Sequence, residues 1–582
     1  MTTDGLRLTG GRFAAALIAI GLLAISLRVV FPAADPPWNP SVGVVWHDEG
    51  AWVHNARNKA LFGAWSLDAW NPMYIAPVFT GLEYLAFEAF GVGVRQARLV
   101  SELTGFASVL LLALGVARVG GREAAVIAGL LAATNYEYVM YDRAATMEAS
   151  MVAFIVASWY CYGRAQSSSA WSWGAAACAL LAFFTKASAA FFVAALGLEA
   201  LVAATGVTGR ESMPARRVGR LTIIALCACG AAAFALFVLP HWTEYRFYNW
   251  QMSVTRKPSY DLRSLADRVT WFPVLHDIFT RMWFTVVVGC AGALALAGRW
   301  RTAPPAERLL GLWVLVGAAE LLLHDVGNER RFLIFVPALV GLAALVLGRD
   351  RTLLPPSMAA VPRTRALLAL PLVGYSLYIV LASLVRLPRL YEVGPNVRLG
   401  AALAAAATAL LYLTWPRVPR LLSASPWSAS AAMLLATVVS AGQLLQFGQW
   451  ATGRTYKNYD ASLAVGRLLP PGTLVHGKLA NGLSLENRIK PVFVGRGFGN
   501  YEDRRRRDDV RYILTYVAPS LGYESQAADP VIRDVLDAYP NHRIIMTFDV
   551  AETTTGHDRA ALVDKFAAAS SDVTGGTGRA KD

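Results

Sequence analysis

The chain has 582 residues, 55% of them hydrophobic and only 16% charged, with a mean hydropathy of +0.41 and a formal net charge of +14. A soluble domain carries roughly a quarter of its residues as charges, so this composition excludes a soluble globular protein. The positive excess does not indicate nucleic acid, because the basic residues lie in short stretches between apolar runs instead of clustering on one soluble face.

Arg7 and Arg12 precede an apolar run over about 13–31. Arg28 and Pro32 stand where a small-residue cleavage site would be needed, so this run reads as an uncleaved signal-anchor helix with a cytoplasmic N-terminus. Further apolar runs lie at 73–93, 98–117, 123–141, 147–163, 170–185, 187–203, 221–240, 279–298, 309–323, 332–348, 366–387, 398–415 and 428–447. A helix needs about 20 such residues to cross a hydrocarbon core of about 30 Å.

Basic residues decide which runs cross. If 73–93 does not, the same side receives Arg118 and Arg122, Arg164, the Arg210/Arg216/Arg217/Arg220 cluster, Arg299/Arg301/Arg308, Arg349/Arg351/Arg363/Arg365 and Arg417/Arg420. That satisfies the positive-inside rule at almost every turn; a crossing by 73–93 would place every one of those later clusters outside. The run 73–93, which also contains Glu83 and Glu88, is therefore expected to be interfacial. About thirteen helices remain, with outer loops at 32–97, 142–146, 241–278, 324–331 and 388–397 and an extracytoplasmic C-terminus.

The fold class expected is an all-α polytopic membrane protein with a small C-terminal α/β domain. Residues 1–449 form the membrane core, with 32–97 its first outer loop; 450–566 form the extracytoplasmic α/β domain and 567–582 a disordered tail. Short β-rich runs at Thr473–His476, Pro491–Val494, Val510–Val517 and Arg543–Val550 mark its strands. Arg504–Arg507 reads first as a solvated face, with acidic headgroup or substrate contact as the alternative. The tail carries no nucleophile elbow, Walker loop or dinucleotide fingerprint. All five cysteines (Cys161, Cys178, Cys227, Cys229, Cys290) fall in or beside apolar runs, so no disulfide framework is expected.

Chemistry-bearing residues gather at the outer ends. The first outer loop holds Trp46-His47-Asp48-Glu49-Gly50, where a carboxylate can serve as general base to an acceptor hydroxyl, burial raising its pKa into a useful range. The alternative is an acidic pair favoured by the dipole of a helix beginning there. The second outer turn, Tyr141 to Glu148, contains Asp142 and Glu148, able to orient a sugar or ligate a metal, and Arg143, able to bind phosphate; snorkelling interfacial charge is the plainer alternative. Lys186 and the turn Asn328-Glu329-Arg330-Arg331-Phe332 place cations outside in a protein that otherwise keeps them inside. Such exceptions fit a lipid-phosphate partner.

Taken in order, the Asp48-Glu49 pair, Asn71-Pro72-Met73-Tyr74 with Phe90-Gly91 and Arg98, Tyr141-Asp142-Arg143 with Glu148, and Thr185-Lys186 followed by Glu329-Arg330-Arg331-Phe332 cover roughly residues 10–350. This ordered set resembles the membrane glycosyltransferases of the GT-C class, in the group of dolichyl-phosphate-mannose protein mannosyltransferases and bacterial lipid A aminoarabinose transferases. The resemblance implies a thirteen-helix core with juxtamembrane helices in the first outer loop and an inverting transfer from a polyprenyl-phosphate-linked sugar entering from the outer leaflet to an envelope acceptor. Asp48 would be the base, with Glu49 beside it, and Lys186, Arg330, Arg331 and Arg143 would hold the donor phosphate. His47, Asn71, Tyr74, Asp142 and Glu148 would line the substrates. Many relatives have a basic residue at the position of Asn71 and Asp at that of Glu148. A divalent cation on Asp48, Asp142 or Glu148 is permitted by the chemistry, not demanded by it.

Membrane lipids are the remaining partner expected, and the inner (plasma) membrane the location. A secondary transporter or lipid flippase is the competing reading; its mark would be ionisable groups in mid-helix, with Glu199 and Glu320 the nearest instances. A non-catalytic receptor or assembly protein is a third, and would leave Asp48 dispensable.

Overall fold

The structure is a computed structural model that describes residues 9–37, 46–207, 212–254, 263, 279, 281–324, 329–351, 370, 373–374, 377–378, 397–414, 427–495, 501–518, 523–527, 530–551 and 559–566. Apolar runs become helices where the sequence puts them. They are α1 (Gly10–Val29), α5 (Val94–Thr134), α7 (Met147–Arg164), α8 (Ala170–Thr185), α9 (Ala190–Thr205), α10 (Met213–Ala233), α12 (Trp283–Gly298), α13 (Pro305–His324), α14 (Phe335–Ala344), α15 (Val397–Leu413) and α16 (Ala429–Gly453). Most of the expected run 366–387 and of the outer loop 388–397, and the whole tail 567–582, lie outside the described residues.

Six of the described helices, counting their direct continuations, are long and apolar enough to cross a membrane, and a seventh span is formed if α6 (Tyr136–Asp142) and α7, bent by 114°, count together. The chain is a multi-pass membrane protein. The run expected at 98–117 and most of that at 123–141 join in α5, broken at Gly121, whose φ of +84° suits a residue without Cβ, and the end of the second run falls in α6.

The run 73–93 becomes a one-turn 3₁₀ segment, Pro72–Tyr74, and then α4 (Pro77–Phe90). Fourteen residues make a helix of about 21 Å, too short for the hydrocarbon core. Its buried positions Phe79, Thr80, Glu83, Ala86 and Phe87 recur at helical spacing, while Leu85 and Phe90 are exposed. This is an amphipathic helix, packed on α3 (His54–Phe62), which follows α2 (His47–Trp52). α11 (Trp242–Val254) packs near the 3₁₀ segment.

Charges of the two expected sides stay apart. Glu307 is held by Arg299 and Arg349, and Arg351 pairs with Glu123. Asp48, Glu148, Lys186 and Arg330 form a separate network.

Beyond α16 the chain forms α17 (Lys457–Leu468), β1 (Leu474–His476), α18 (Lys478–Gly482), β2 (Lys490–Val492), β3 (Tyr512–Ala518), β4 (Tyr523–Ala527), α19 (Pro530–Asp537), β5 (Arg543–Asp549) and β6 (Arg559–Asp564). The strands make one mixed sheet in the order β2-β1-β3-β6-β5, with β4 on β3. β1 runs parallel to β2 and β3, whereas β6 runs antiparallel to β3 and β5. The four β-rich runs of the sequence correspond to β1, β2, β3 and β5. β6 lies between two strands and is almost wholly buried, so it shows no alternation to read. Of the Arg504–Arg507 run, Arg504 and Arg505 pair with Asp534 and Arg507 with Asp509. All five cysteines carry free thiols.

Candidate active site

The site starts from the contact between α2 and α18. Gly50 and Gly482 let two backbones meet: a Cβ on Gly50 would lie 1.9 Å from the Asn481 carbonyl oxygen, and one on Gly482 would lie 2.9 Å from the His47 Cα. The sheet reaches the first outer loop through this contact. Trp46 belongs to the same apolar cluster as Val465, Val475, Leu483, Tyr516 and Leu562. His47 Nδ1 lies 3.1 Å from the Tyr516 hydroxyl on β3. Burial, reinforced by Lys478, pushes the His47 imidazole down to about 3, so it is neutral at physiological pH.

Asp48 sits between cations from two distant parts of the chain. Arg330 Nη1 donates to Oδ2 at 2.7 Å, and Lys478 Nζ lies 3.1 Å from Oδ1. Arg330 also approaches Glu148, its Nε 3.5 Å from Oε1, and Lys186 donates to the same Glu148 oxygen. Lys478, Asp48, Arg330, Glu148 and Lys186 therefore form one continuous chain of ion pairs, three cations against two carboxylates. Arg331 adds its field at Lys186. Five segments supply the groups: α2, the start of α7, the turn after α8, the turn before α14, and the start of α18.

The expectation that burial raises the Asp48 pKa is corrected by this arrangement. Burial does push the carboxyl up, but Lys478 and Arg330 together outweigh it and hold the group below the usual carboxylate range. Paired in this way, Asp48 is an anion at physiological pH and a weak base.

Glu49 joins a different network. Its carboxylate takes a bidentate pair from Arg98, Nε to Oε1 and Nη2 to Oε2 at 2.8 Å each, and Oε1 accepts the Ala145 N–H at 2.8 Å. Arg98 also donates to the carbonyls of Pro32 and Ala34 at 3.1 and 2.6 Å. Glu49 thus fastens α2 to α5 and to the second outer turn. Near it, Glu83 is fully buried, and neither carboxylate oxygen has a hydrogen-bond partner among the described residues. Burial, with the Glu49 charge nearby, pushes the Glu83 carboxyl well above its usual range, favouring the protonated form.

Asp142 and Arg143 are not brought to the Lys186–Arg330 cluster. Asp142 is paired with Arg28, Nε and Nη2 at 2.8 and 2.7 Å, and packs against Gly105. Arg143 donates to the carbonyls of Leu27, Arg28 and Phe31 at 2.9, 2.7 and 2.9 Å, satisfying the C-terminal end of α1, and lies over the Trp450 ring. Both lock α1 to the turn after α6.

Asn71 and Tyr74 form a separate rim with α11. Asn71 donates to the Tyr248 hydroxyl at 2.7 Å and accepts from Asn55 at 3.0 Å. Tyr74 stacks on Tyr248 with ring centres 5.8 Å apart, and its carbonyl accepts from Asn249 at 3.0 Å.

A divalent ion does not fit the carboxylates proposed for it. Asp48 is matched by Arg330 and Lys478, Glu148 by Lys186, and Asp142 by Arg28 in its own pair. Among the described residues no group of three or more His, Cys, Asp or Glu side chains converges. Sequence reasoning missed Lys478 altogether. Its one signal is a Gly477-Lys478 step directly after a β-rich run, a common place for a functional side chain at the carboxyl end of a parallel strand.

Residues 75–235 match the family of dolichyl-phosphate-mannose-protein mannosyltransferases. By sequence, no curated protein matches the chain. The fold is similar to the crystal structure of ArnT from Cupriavidus metallidurans bound to undecaprenyl phosphate, with a TM-score of 0.53 and 18% identity, covering 95% of this chain and 97% of that one. The apo crystal structure of the same ArnT gives 0.50 and 16% over the same shares. The chain thus resembles the GT-C membrane glycosyltransferases of the mannosyltransferase and ArnT kind, in fold over nearly its whole length and in family sequence over residues 75–235.

Proposed function

We propose that the protein transfers a sugar from a polyprenyl-phosphate donor to a hydroxyl of an envelope acceptor (protein, lipid or polysaccharide), on the outer face of the inner membrane and with inversion. The observation that carries this reading is the chain of ion pairs, with one positive charge in excess, in which Asp48 is held between Lys478 and Arg330. A sugar phosphodiester carries one negative charge. ArnT, whose fold this chain shares, has been crystallised with undecaprenyl phosphate.

The chemistry follows from the positions. The donor phosphate draws on Arg330 and Lys186, with Arg331 adding to the field. As Arg330 turns to the phosphate, Asp48 loses a counter-ion and gains basicity. The acceptor oxygen attacks the anomeric carbon from the face opposite the phosphate and its proton passes to Asp48. The bond between that carbon and the phosphate oxygen breaks, its electron pair leaving on the polyprenyl phosphate, a good leaving group that needs no proton. Glu148 holds Lys186 and Arg330 in register, and Glu49 positions α2. Asn71, Tyr74 and neutral His47 serve substrate recognition. The sheet-bearing segment 450–566 lies outside the cytoplasm, over this site.

Sugar transfer by purified protein in liposomes, offered a panel of polyprenyl-phosphate sugars, tests the reading with Asp48→Asn beside wild type. Transfer by wild type that falls at least about a thousandfold in the folded variant is expected, the scale of a lost general base together with its charge. Equal transfer by both would place the base elsewhere. Folded wild type inactive with every donor would favour a transporter. Against a transporter stands Glu199, whose carboxylate is closed in a pair with Arg308 at 2.7 Å.

A further inference from the structure

We propose that Lys478, delivered by the C-terminal sheet segment, is a ligand of the donor phosphate that rests on Asp48 until the donor arrives. This builds on the lipid-phosphate reading above and extends the site from the membrane helices into the C-terminal segment.

Three observations carry it. The first is placement: Lys478 opens α18 immediately after β1, at the carboxyl end of a strand that runs parallel to both its neighbours. Its position is fixed by Gly477, whose φ of +111° suits only glycine and where a Cβ would stand 2.4 Å from the Leu514 carbonyl oxygen. Gly477 N–H is bonded to the Val492 carbonyl at 3.1 Å. The backbone therefore holds Lys478 rigidly at its root.

The second is docking. The contacts of Gly50 with Asn481 and of Gly482 with His47 bring α18 against α2 backbone to backbone, so the backbone root of Lys478 is held beside Asp48 while its side chain stays free to turn. His54 reinforces the contact, with Nδ1 2.9 Å from Asn481 Nδ2.

The third is exposure. The side chains of Arg330 and Lys186 are 11% and 15% exposed, whereas that of Lys478 is 41% exposed. Lys478 is the open end of the ion-pair chain, the cation whose ammonium can swing on a fixed root. The charged and titratable groups facing Asp48 are Lys478, Arg330 and neutral His47, with Glu148 beyond Arg330. A phosphate that takes Lys478 and Arg330 leaves Asp48 without its counter-ions at the moment a base is needed.

The test separates a phosphate ligand from a mere counter-ion of Asp48. Wild type, Lys478→Gln, Lys478→Arg, Asp48→Asn and the double variant Asp48→Asn/Lys478→Gln are placed as full chains in phosphatidylcholine nanodiscs, and binding of undecaprenyl phosphate is measured. Asp48→Asn is expected to bind several-fold more tightly, since the competing carboxylate is gone. Lys478→Gln is expected to weaken binding about tenfold, and Lys478→Arg to stay within about threefold of wild type. The loss on removing Lys478 should persist in the Asp48→Asn background. If Lys478 only neutralises Asp48, its removal there changes nothing, and the inference fails while the lipid-phosphate reading stands. If no folded protein of the set binds undecaprenyl phosphate, that reading fails and takes this inference with it.

Discussion

Gly50→Ala offers a perturbation of the site that touches no ionisable group. The new methyl would lie 1.9 Å from the Asn481 carbonyl oxygen and 2.5 Å from its carbon. An ordinary carbon–oxygen contact is about 3.3 Å, so α2 and α18 must part by about 1.4 Å. Backbone, not a flexible side chain, blocks the way, and overpacking of this kind costs ~1–3 kcal/mol of stability. The larger consequence is for chemistry. A shift of that size stretches the 3.1 Å contact between Asp48 and Lys478 beyond hydrogen-bond reach. A misplacement of ~1 Å in a reacting group can cost ~100-fold in rate. Transfer kinetics in liposomes should therefore show kcat/KM down about 100-fold, with a thermal unfolding midpoint in detergent lowered by only a few degrees. A Gly50→Ala protein with wild-type kcat/KM would show that the contact between α2 and α18 does not set the geometry of the base.

Three further outcomes follow from the buried networks. Arg98→Met should lose ~3–5 kcal/mol, because it leaves the Glu49 carboxylate buried without its cation. The double variant Glu49→Gln/Arg98→Met should recover much of that, and a double-mutant cycle of thermal or denaturant unfolding checks both. Arg143→Gln should destabilise the protein, since three carbonyls at the end of α1 lose their donor. It should leave donor KM within about twofold, whereas Lys186→Gln should raise donor KM about tenfold; equal effects of the two on KM would refute the separation drawn between them. Glu83, whose carboxyl is raised by burial, binds a proton in the folded state that the unfolded chain has released. Its contribution to stability is present below its unfolded pKa of about 4.5 and is lost at up to ~1.4 kcal/mol per pH unit as pH rises toward the folded value. Glu83→Gln should flatten this slope, gaining on wild type as pH rises above the unfolded value of about 4.5 in unfolding experiments.

The membrane architecture was legible because lipid imposes one-dimensional rules. An apolar run of the right length must be helical, and basic residues sort its ends, so α1, α8, α9 and α16 could be placed to within a few residues of their observed bounds. The same rules demoted 73–93, and α4 is indeed too short to cross. Parts of the candidate site were legible for a related reason: Asp48, Glu148, Lys186 and Arg330 are charges beside or between apolar runs, where each needs a partner. What could not be read was the pairing. Asp142 and Arg143 stand beside Glu148 in sequence, yet the 114° bend between α6 and α7 turns them toward α1 while Glu148 faces Lys186. A bend of that size leaves no mark on hydrophobic periodicity.

Lys478 was invisible for a different reason, and the reason bears on how the site works. From Asp48 to Lys478 the chain runs through every described membrane helix except α1 before it returns, so no local pattern links the two residues. Only the sheet, by fixing Gly477 at φ +111° and pressing Gly482 against His47, delivers the ammonium to the carboxylate. A base held between two cations is stable as an anion but poorly reactive, and burial makes removal of either cation costly unless another anion replaces the carboxylate. In the proposed reaction the donor phosphate supplies that anion. Acid strength at Asp48 is then tied to occupancy of the donor site, so the acceptor hydroxyl meets an active base only when there is a sugar to receive. Water meets the same paired, weak base in the empty enzyme, and the arrangement opposes transfer to water as well as favouring transfer to the acceptor.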